Sequence, residues 1–401
     1  MTLRIEDTTS SKVIAAIAAE RHRLGAQASG MVLTLIIVTD EHEQADATQA
    51  ATFSANQHPC RIVVIIPRPG RGSPRLDAEI DLGDREGPCE TVKLRLRGPL
   101  ADKQASVVLP LLLADTPVVA WWPGTPPPFP AADSVGVLAQ RRITDAAAVR
   151  QSLAMLDHRA ETYTPGDTDL AWTRITPWRS MLATALDEPY DEITSVNVGA
   201  QRGNPSGPLL ASWLHARLQV PVSLQPTRGP GVTAVTLETV KGPITLSRPT
   251  GRMASLSRPY LPTRKIPLPR RELKDLLSEE LRRLDSDEIY AQALEHLSTR
   301  PQRKSAAKDA DEPVSSPELK ATAEKVPTPA KKAAATKAAK KAPPVQKAVS
   351  TAKEEVATKP VAKKTAAKKA VDKKAAAKEE AAGTPAETTP ESVTTEKEEG
   401  A

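Results

Sequence analysis

The stretch Met31-Val-Leu-Thr-Leu-Ile-Ile-Val38 decides the fold class of this 401-residue chain. It is a continuous apolar run rich in β-branched side chains, and such a run predicts a strand that is buried on both faces of a sheet. Arg61 to Ile66 is a second run of this kind, and Pro67 ends it. Between the two runs, residues 43–57 are rich in alanine and predict a helix. Buried strand, helix and buried strand in succession are typical of an α/β domain.

Outward from this core, helices and strands alternate through the first 160 residues. A helix is predicted after the N-cap candidates at residues 8–11, and Gly25 ends it. Residues 158–171 are polar and rich in turn formers, which indicates a domain boundary. The other predicted elements are two half-exposed strands at Leu76–Leu82 and Thr91–Leu96, a helix at Ala105–Ala114, a strand at Pro117–Trp122 and a helix at Asp145–Asp157.

The pattern starts again at Thr176, where Pro177 suits a first helical position. We expect an α/β fold with two sub-domains, residues 1–160 and 161–300, each with a mixed sheet covered by helices. Because the two halves show a similar order of elements, an internal duplication is a further hypothesis. In the second half, strands are predicted at Ile193–Val198, Val220–Leu224, Val232–Val240 and Ile244–Leu246, helices near Thr176, Ser206, Leu273 and Ser286, and an arginine- and proline-rich connector over residues 248–271.

The last hundred residues differ in composition from the rest. The last aromatic residue is Tyr290, so residues 301–401 have no aromatic side chain to bury and cannot offset the entropy of ordering a backbone. We expect a disordered tail over 301–401, basic at first and then acidic, with 15 lysines in residues 331–378. The net charge of the tail equals the +6 of the whole chain, so residues 1–300 are neutral overall. This balance argues against a nucleic-acid-binding body.

Deletion of residues 301–401 is expected to leave the melting temperature of the remaining chain nearly unchanged, because a disordered lysine-rich tail makes only weak, salt-screened contacts. The lysines of 331–378 are expected to bind polyanions non-specifically, with an affinity that falls steeply with salt. Thermal unfolding of the full and shortened chains measures the first effect. A shortened chain that no longer folds would show that the tail is part of the fold.

Motifs of common catalytic and cofactor sites, GxxxxGK(S/T), GxGxxG, HExxH and GxSxG, are absent from the sequence. We therefore predict no catalytic residue, no metal site and no cofactor, and a protein that is not an enzyme. The nearest phosphate-like feature runs from Gly199 to Gly207, between a predicted strand and a predicted helix. Gly203, Ser206 and Gly207 are weak candidates for anion binding there. A tight turn with Ser206 as the helix cap is the favoured alternative.

Two cysteines, Cys60 and Cys89, form neither a CxxC pair nor a metal-ligand spacing, and they suit a reducing compartment. Each is a weak candidate for a redox role, with burial in the core as the alternative. The N-terminal residues do not resemble a signal peptide. No apolar run approaches the ~20 residues that a membrane span needs. We expect a cytoplasmic protein without membrane contact.

Tryptophan and arginine supply the candidates for partner contact. Trp121 and Trp122 are adjacent on a predicted strand, so one ring faces in and the other faces out. An outward ring fits either cover of the core or the anchoring of a partner. Pairs of indole and guanidinium groups likewise fit packing within the fold or recognition of an anionic partner. The candidate contact residues are Trp122, Phe129, Trp172, Arg174, Trp178 and Arg179.

Three segments, His58-Pro-Cys-Arg61, Thr116-Pro-Val-Val-Ala-Trp-Trp-Pro123 and Asp169-Leu-Ala-Trp-Thr-Arg-Ile-Thr-Pro-Trp-Arg179, resemble the OpcA family of glucose-6-phosphate dehydrogenase assembly proteins. The resemblance extends over residues 1–300 and leaves out the tail. It implies a non-enzymatic partner of glucose-6-phosphate dehydrogenase that affects its assembly or activity at the entry to the oxidative pentose phosphate pathway. The redox control of cyanobacterial members is not carried over, because this chain has only two cysteines.

Two alternatives from other classes stay open. A nucleic-acid-associated protein that acts through its lysine-rich tail is the first, and the neutral body without a groove-reading motif counts against it as the main role. An enzyme that uses the loop from Gly199 to Gly207 ranks last, because no base, nucleophile or set of metal ligands converges on that loop in the sequence.

Overall fold

Two β-sheets with helices packed against them organise the part of the chain that the computed structural model describes, residues 2–24, 30–82 and 90–298. These residues lie within one compact unit. The α/β class and the two mixed, helix-covered sheets expected from the sequence are confirmed. The tail predicted over 301–401 lies outside the described residues.

The strands and helices of the described residues have the following bounds. The strands are β1 Thr2–Ile5, β2 Leu33–Val38, β3 Cys60–Arg68, β4 Arg75–Asp81, β5 Glu90–Arg97, β6 Val118–Trp121, β7 Arg141–Thr144, β8 Asp167–Asp169, β9 Ile193–Gln201, β10 Val222–Thr227, β11 Val232–Thr239, β12 Ile244–Ser247, β13 Met253–Arg258 and β14 Leu261–Pro267. The helices are α1 Ser10–Leu24, α2 Gln44–Ala55, α3 Gln104–Val108, α4 Ser152–Glu161, α5 Leu170–Thr173, α6 Thr176–Asp187, α7 Ser206–Leu218, α8 Leu273–Arg282 and α9 Glu288–Ser298.

The first sheet has the strand order β1-β4-β5-β3-β2-β6-β7-β8. The strands from β5 to β8 in this order are all parallel. At one edge, β4 pairs antiparallel with β5, and β1 pairs antiparallel with β4. Counted along the chain, the parallel strands lie in the spatial order 3-2-1-4-5-6, which is the order of dinucleotide-binding sheets. The crevice of such a sheet lies where the strand order reverses, at the carboxyl ends of β2 and β6.

Both faces of the first sheet are covered, which is why its central strands are apolar at nearly every position. Helices α1 and α3 contribute to the core cluster on one face, and α2 and α8 contribute to the cluster on the other. Trp121 and Trp122 follow the expected alternation between faces, yet both are buried, each in a different cluster. This burial favours core cover, the first of the two alternatives for Trp122, because helices pack on both faces of the sheet.

The second sheet has the strand order β10-β9-β11-β12-β13-β14. Only β9 and β10 pair in parallel, and the other pairs of this sheet are antiparallel. Its core cluster includes Trp178 of α6, Leu209 of α7 and Leu294 of α9. Helix α8 follows this sheet in the chain but packs against α2, where Leu276, Leu277 and Leu281 complete a core cluster of the first sheet. Residues from both halves of the sequence thus build the first sheet's core.

Five strands of the described residues were not predicted: β1, β7, β8, β13 and β14. Strands β7 and β8 are only four and three residues long, too short to show an apolar pattern. Strands β13 and β14 occupy the region expected to be a connector. Exposed β14 carries Arg264, Lys265 and two prolines, which are typical of an edge strand protected from further pairing. Two predicted helices are also shorter than expected, since α3 ends at Val108 ahead of Pro110 and α4 starts only at Ser152.

The hypothesis of an internal duplication is wrong. In the first sheet, the second buried strand β3 lies between β2 and β5 and pairs in parallel with both. In the second sheet, the corresponding strand β10 lies at the edge, and the hairpin strand β11 pairs antiparallel with β9. Corresponding elements therefore have different neighbours, which a duplicated unit would not show.

Candidate functional site

Two carboxylates, those of Asp40 and Glu43, lie at the crevice at the carboxyl ends of β2 and β6. Asp40 Oδ1 accepts hydrogen bonds of 2.8 Å from the backbone N–H groups of His42 and Glu43, at the start of α2. The Glu43 carboxylate lies so close to Gly124 that a Cβ at that glycine would overlap it. Burial, and secondarily the nearby Asp40, raise the pKa of Glu43.

These residues do not fit a dinucleotide. In a sheet of this order, the backbone N–H groups at the start of the first crossover helix bind the pyrophosphate, and a glycine-rich turn lets the backbone approach it. Here Asp40 accepts the hydrogen bonds of two such groups. Glu43 adds a second carboxylate that would repel phosphate. The GxGxxG fingerprint is also absent from the sequence.

The segment from Asp169 to Arg179 begins at the carboxyl end of β8. Asp169 is completely buried, and its carboxylate accepts hydrogen bonds from Thr144 Oγ1 at 2.7 Å, from the Ala146 N–H at 2.9 Å and from the Ala171 N–H at 2.8 Å. This carboxylate thus joins the ends of β7 and β8 and caps α5. Burial, and secondarily the nearby Asp145, raise the pKa of Asp169.

The indole rings of this segment lie inside the fold. Trp172 is 1% exposed, and its Nε1–H donates a hydrogen bond of 2.8 Å to Asp287 Oδ2. The Arg179 guanidinium stacks on the Trp172 ring at 3.7 Å from its centroid. Trp178 is also 1% exposed. This packing favours the structural alternative for both tryptophans. Among the aromatic candidates for partner contact, Phe129 differs, with 57% exposure.

Two arginines of the segment are held by neighbouring side chains. Arg174 forms a bidentate pair with Asp145, at 2.7 and 2.6 Å, and the pKa of Arg174 is raised despite its burial. Arg179 keeps part of its surface exposed. Burial lowers its pKa, because the nearby carboxylates only partly offset the loss of solvent. Arg174 and Arg179 are therefore the charged side chains of this segment that remain partly exposed.

A cleft of about 580 Å³ borders Trp172 and Arg179. Its floor contains a buried ion pair between Arg141 of β7 and Glu280 of α8 at 2.5 Å, with both side chains 5% exposed. Glu280 also accepts a hydrogen bond of 2.5 Å from Thr173 Oγ1. The cleft is lined by charges of both signs, which include Glu279, Arg282, Arg283, Asp285, Asp287 and Glu288. Sequence reasoning missed Arg141 and Glu280, because 139 positions separate them.

The loop before α7 is shaped by packing. Gly203 adopts a positive φ of 78°, which favours glycine. Gly207 packs closely against the strand, since a Cβ at this position would lie 2.6 Å from the Ala200 Cβ. The prediction of Ser206 as the helix cap is wrong, because its hydroxyl donates to the Ala171 carbonyl at 2.9 Å. Asn204 Oδ1 instead accepts from the Ser206 N–H at 3.0 Å. Ser206 and Asn204 line a small cavity with four arginines.

The remaining candidates from the sequence lie elsewhere. Cys60 is completely buried at the start of β3, which favours its structural alternative. Cys89 lies outside the described residues. Within the described ranges, no cluster of three histidine, cysteine or acidic side chains is arranged to hold a metal ion. No helix of these ranges is long and apolar enough to cross a membrane.

Solved structures show only distant similarity to this chain. A 3-ketoreductase from Actinomadura kijaniata, in complex with NADP and TDP-benzene, is 10% identical with a TM-score of 0.38 over 67% of this chain and 95% of its own. Glucose-6-phosphate 1-dehydrogenase from Mycobacterium avium is 9% identical with a TM-score of 0.38 over 67% and 91% of the two chains. At these values the similarity carries no argument about function.

Curated relatives are more informative. A protein named OpcA from Nostoc punctiforme is 26% identical over 193 residues, which are 44% of this chain and 41% of that protein. OpcA of Synechococcus elongatus is 28% identical over 188 residues, which are 41% of this chain and 40% of its own length. The chain thus matches about two-fifths of the length of these relatives.

Two family models match consecutive parts of the chain. The N-terminal domain of the glucose-6-phosphate dehydrogenase subunit OpcA matches residues 51–161. The C-terminal domain of the same subunit matches residues 165–294. Together the two matches cover more than half of the 401 residues, in the order of the family. With both of its domains present in sequence, the chain belongs to the OpcA family.

Proposed function

We propose that this chain is a non-catalytic partner of glucose-6-phosphate dehydrogenase that promotes its assembly or activity. The observation that carries the proposal is the presence of both OpcA domains in order, since the family is described as a subunit of that enzyme. The curated relatives are named as proteins of the OxPP cycle, and they support the same role at the entry to the oxidative pentose phosphate pathway.

A catalytic role of its own is disfavoured by the residues at the crevice of the first sheet. A sheet of this strand order binds dinucleotides when phosphate can approach the start of the helix after the first strand. Here Asp40 and Glu43 present negative charge at that position. The proposed role is therefore that of a binding subunit, with the chemistry left to the dehydrogenase.

We propose two contact points for the dehydrogenase, Phe129 and the cleft beside Arg179. Phe129 is a large apolar side chain with 57% exposure, which is costly to leave in water and suits an anchor. The cleft offers charges of both signs to a polar rim. Lysine-rich residues 331–378 are proposed to add only salt-dependent contacts with polyanions.

Mixing the full chain with purified glucose-6-phosphate dehydrogenase from the same organism is expected to give a co-eluting complex and a higher rate or a changed oligomeric state. Size-exclusion chromatography and the production of NADPH measure these effects. The chain alone is expected to show no dehydrogenase activity. A dehydrogenase whose rate, substrate affinity and oligomeric state all stay unchanged, without co-elution, would contradict the proposal.

Replacement of Phe129 by alanine tests the contact surface in the same assay. The complex is expected to weaken by about tenfold if Phe129 is an anchor. Tyr260, which is 89% exposed at the turn between β13 and β14, provides a matched control, and Tyr260→Ala is expected to leave the affinity unchanged. Nuclease treatment before mixing separates this complex from association through nucleic acid, which is the alternative suggested by the tail.

A further inference from the structure

Arg248, directly after β12, is a buried cation that has no carboxylate partner among the described residues. It is 6% exposed, and its guanidinium donates hydrogen bonds to the carbonyls of Leu268 at 2.9 Å and Val232 at 3.1 Å. Its Nε is buried and has no hydrogen-bond partner in the part of the chain that the structure describes. Burial, and secondarily the neighbouring Arg270, lower the pKa of Arg248 to about 10. A buried charge that lacks a counter-ion is unfavourable, so folds normally supply one.

The cavity that Arg248 lines lies between the segment after β8 and the start of α7. Its walls include Arg174, Trp178, Asn204 and Ser206. The cavity volume is about 40 Å³. At roughly 10–15 Å³ for each water by this measure, the cavity has room for about three water molecules, which corresponds to one small tetrahedral group and not to a nucleotide.

The charges around the cavity do not cancel. Arg174 is neutralised by Asp145, and Arg271 is neutralised by Glu279. Arg248 and the exposed Arg270 form no ion pair with any carboxylate of the described residues, which leaves two positive charges at the cavity. Helix α7 is 13 residues long, and the positive end of its dipole lies at the same place, since Ser206 begins the helix and lines the cavity.

We propose that this cavity binds the phosphate group of a small phosphorylated ligand, with Arg248 as the buried anchor and Arg270 as the cation at the rim. Two unpaired arginines match the two negative charges of a phosphate monoester better than the single charge of a carboxylate. The rest of the ligand extends outside the cavity, because a volume of about 40 Å³ admits only the anionic group. Asn204 and Ser206, from the loop before α7, supply the polar wall of this site.

A purely structural role for Arg248 would have a different consequence. As a cross-link between the carbonyls of Val232 and Leu268, it would stabilise the fold without any ligand. That role does not involve Arg270, whose side chain is exposed. Binding that depends on Arg270 therefore separates the two explanations.

Isothermal titration calorimetry of the full chain alone, at constant ionic strength, tests the proposal with inorganic phosphate and glucose 6-phosphate as probes. Both are expected to bind saturably at one site. Glucose, which lacks the phosphate, is expected not to bind, and acetate is expected to bind at least about tenfold more weakly. Because no dehydrogenase is present, the result does not depend on the proposed function.

Arg248→Met, which keeps an unbranched side chain beside Trp178 but removes the guanidinium, is expected to weaken phosphate binding by about tenfold or more. Arg270→Gln is expected to weaken it severalfold with the fold intact, because this side chain is exposed. Arg217→Gln, an equal change of charge at the far end of α7, is the control and is expected to leave binding unchanged.

Three results would overturn the proposal. The first is a full chain without saturable phosphate binding. The second is an Arg270→Gln variant that binds phosphate as the unchanged chain does, which decides the matter even if Arg248→Met fails to fold. The third is tighter binding of acetate than of phosphate, which would point to a carboxylate side chain of a partner protein as the occupant.

Discussion

Replacement of Glu280 by alanine is expected to lower the free energy of unfolding by about 3–5 kcal/mol, because it leaves a buried charge without its partner. Arg141, the partner, is 5% exposed, and its other hydrogen bond goes to the Asp285 carbonyl at 2.6 Å. The change also removes the acceptor for the Thr173 hydroxyl. Glu280 belongs to α8 and Arg141 to the first sheet. The pair therefore stabilises the packing of α8 against one face of that sheet.

Urea unfolding followed by circular dichroism measures this loss. Glu279→Ala provides the matched control, since Glu279 is the neighbouring residue and pairs with Arg271 through side chains that are 27% and 20% exposed. Partly exposed pairs of this kind contribute about 0–1 kcal/mol, so the control is expected to be mild. Equal losses of unfolding free energy from the two substitutions would show that the buried pair contributes no more to stability than the partly exposed one.

Replacement of Trp172 by alanine is expected to destabilise the fold by about 3–5 kcal/mol, through the cavity that a large buried side chain leaves behind. The ring lies under the Arg179 guanidinium and 5.5 Å from the Tyr290 ring, measured between centroids. Its loss therefore also removes the stacking surface of Arg179 and leaves Asp287 without the indole N–H.

Trp172→Phe separates the contribution of the buried ring from that of the hydrogen bond, because it keeps an aromatic ring but loses the hydrogen bond to Asp287. We expect a smaller loss from it, about 1–3 kcal/mol. Thermal unfolding and binding to the dehydrogenase are measured on the same samples. A Trp172→Ala variant that keeps its full stability and loses only the partner would contradict the structural assignment and restore Trp172 as a contact residue.

Much of the fold was predictable because its central strands carry a strong local signal. Strands β2 and β3 and helix α2 lie within a few residues of their predicted bounds. Strand β8 was missed since it has only three residues, Asp167 to Asp169, and none of them is apolar. That strand ends at the buried Asp169, so the environment of the segment from Asp169 to Arg179 could not be derived from the pattern.

The candidate site was less predictable, because burial depends on what covers a surface. The adjacent tryptophans predict one ring on each face of a strand, and the sequence does not show what packs on those faces. Trp122 is only 3% exposed because core clusters lie on both faces of the first sheet. Arg248 belongs to the arginine-rich connector that the sequence predicts over residues 248–271, for which a solvated segment is favoured over an anion site. In the structure, β13 and β14 form a hairpin in this region. Arg248, which precedes the hairpin, is buried and lines a cavity.

The amino-acid sequence by itself determined the α/β class, the buried strands β2 and β3 and the neutral charge of residues 1–300, because these properties follow from composition and periodicity within short windows. Only the tertiary structure decided the strand order, the pairing of Arg141 with Glu280 across 139 positions and the absence of a carboxylate beside Arg248 among the described residues. The physical reason is that a charged side chain takes its partner from whichever distant segment the packed sheets bring within a few ångströms, and local periodicity carries no information about that choice.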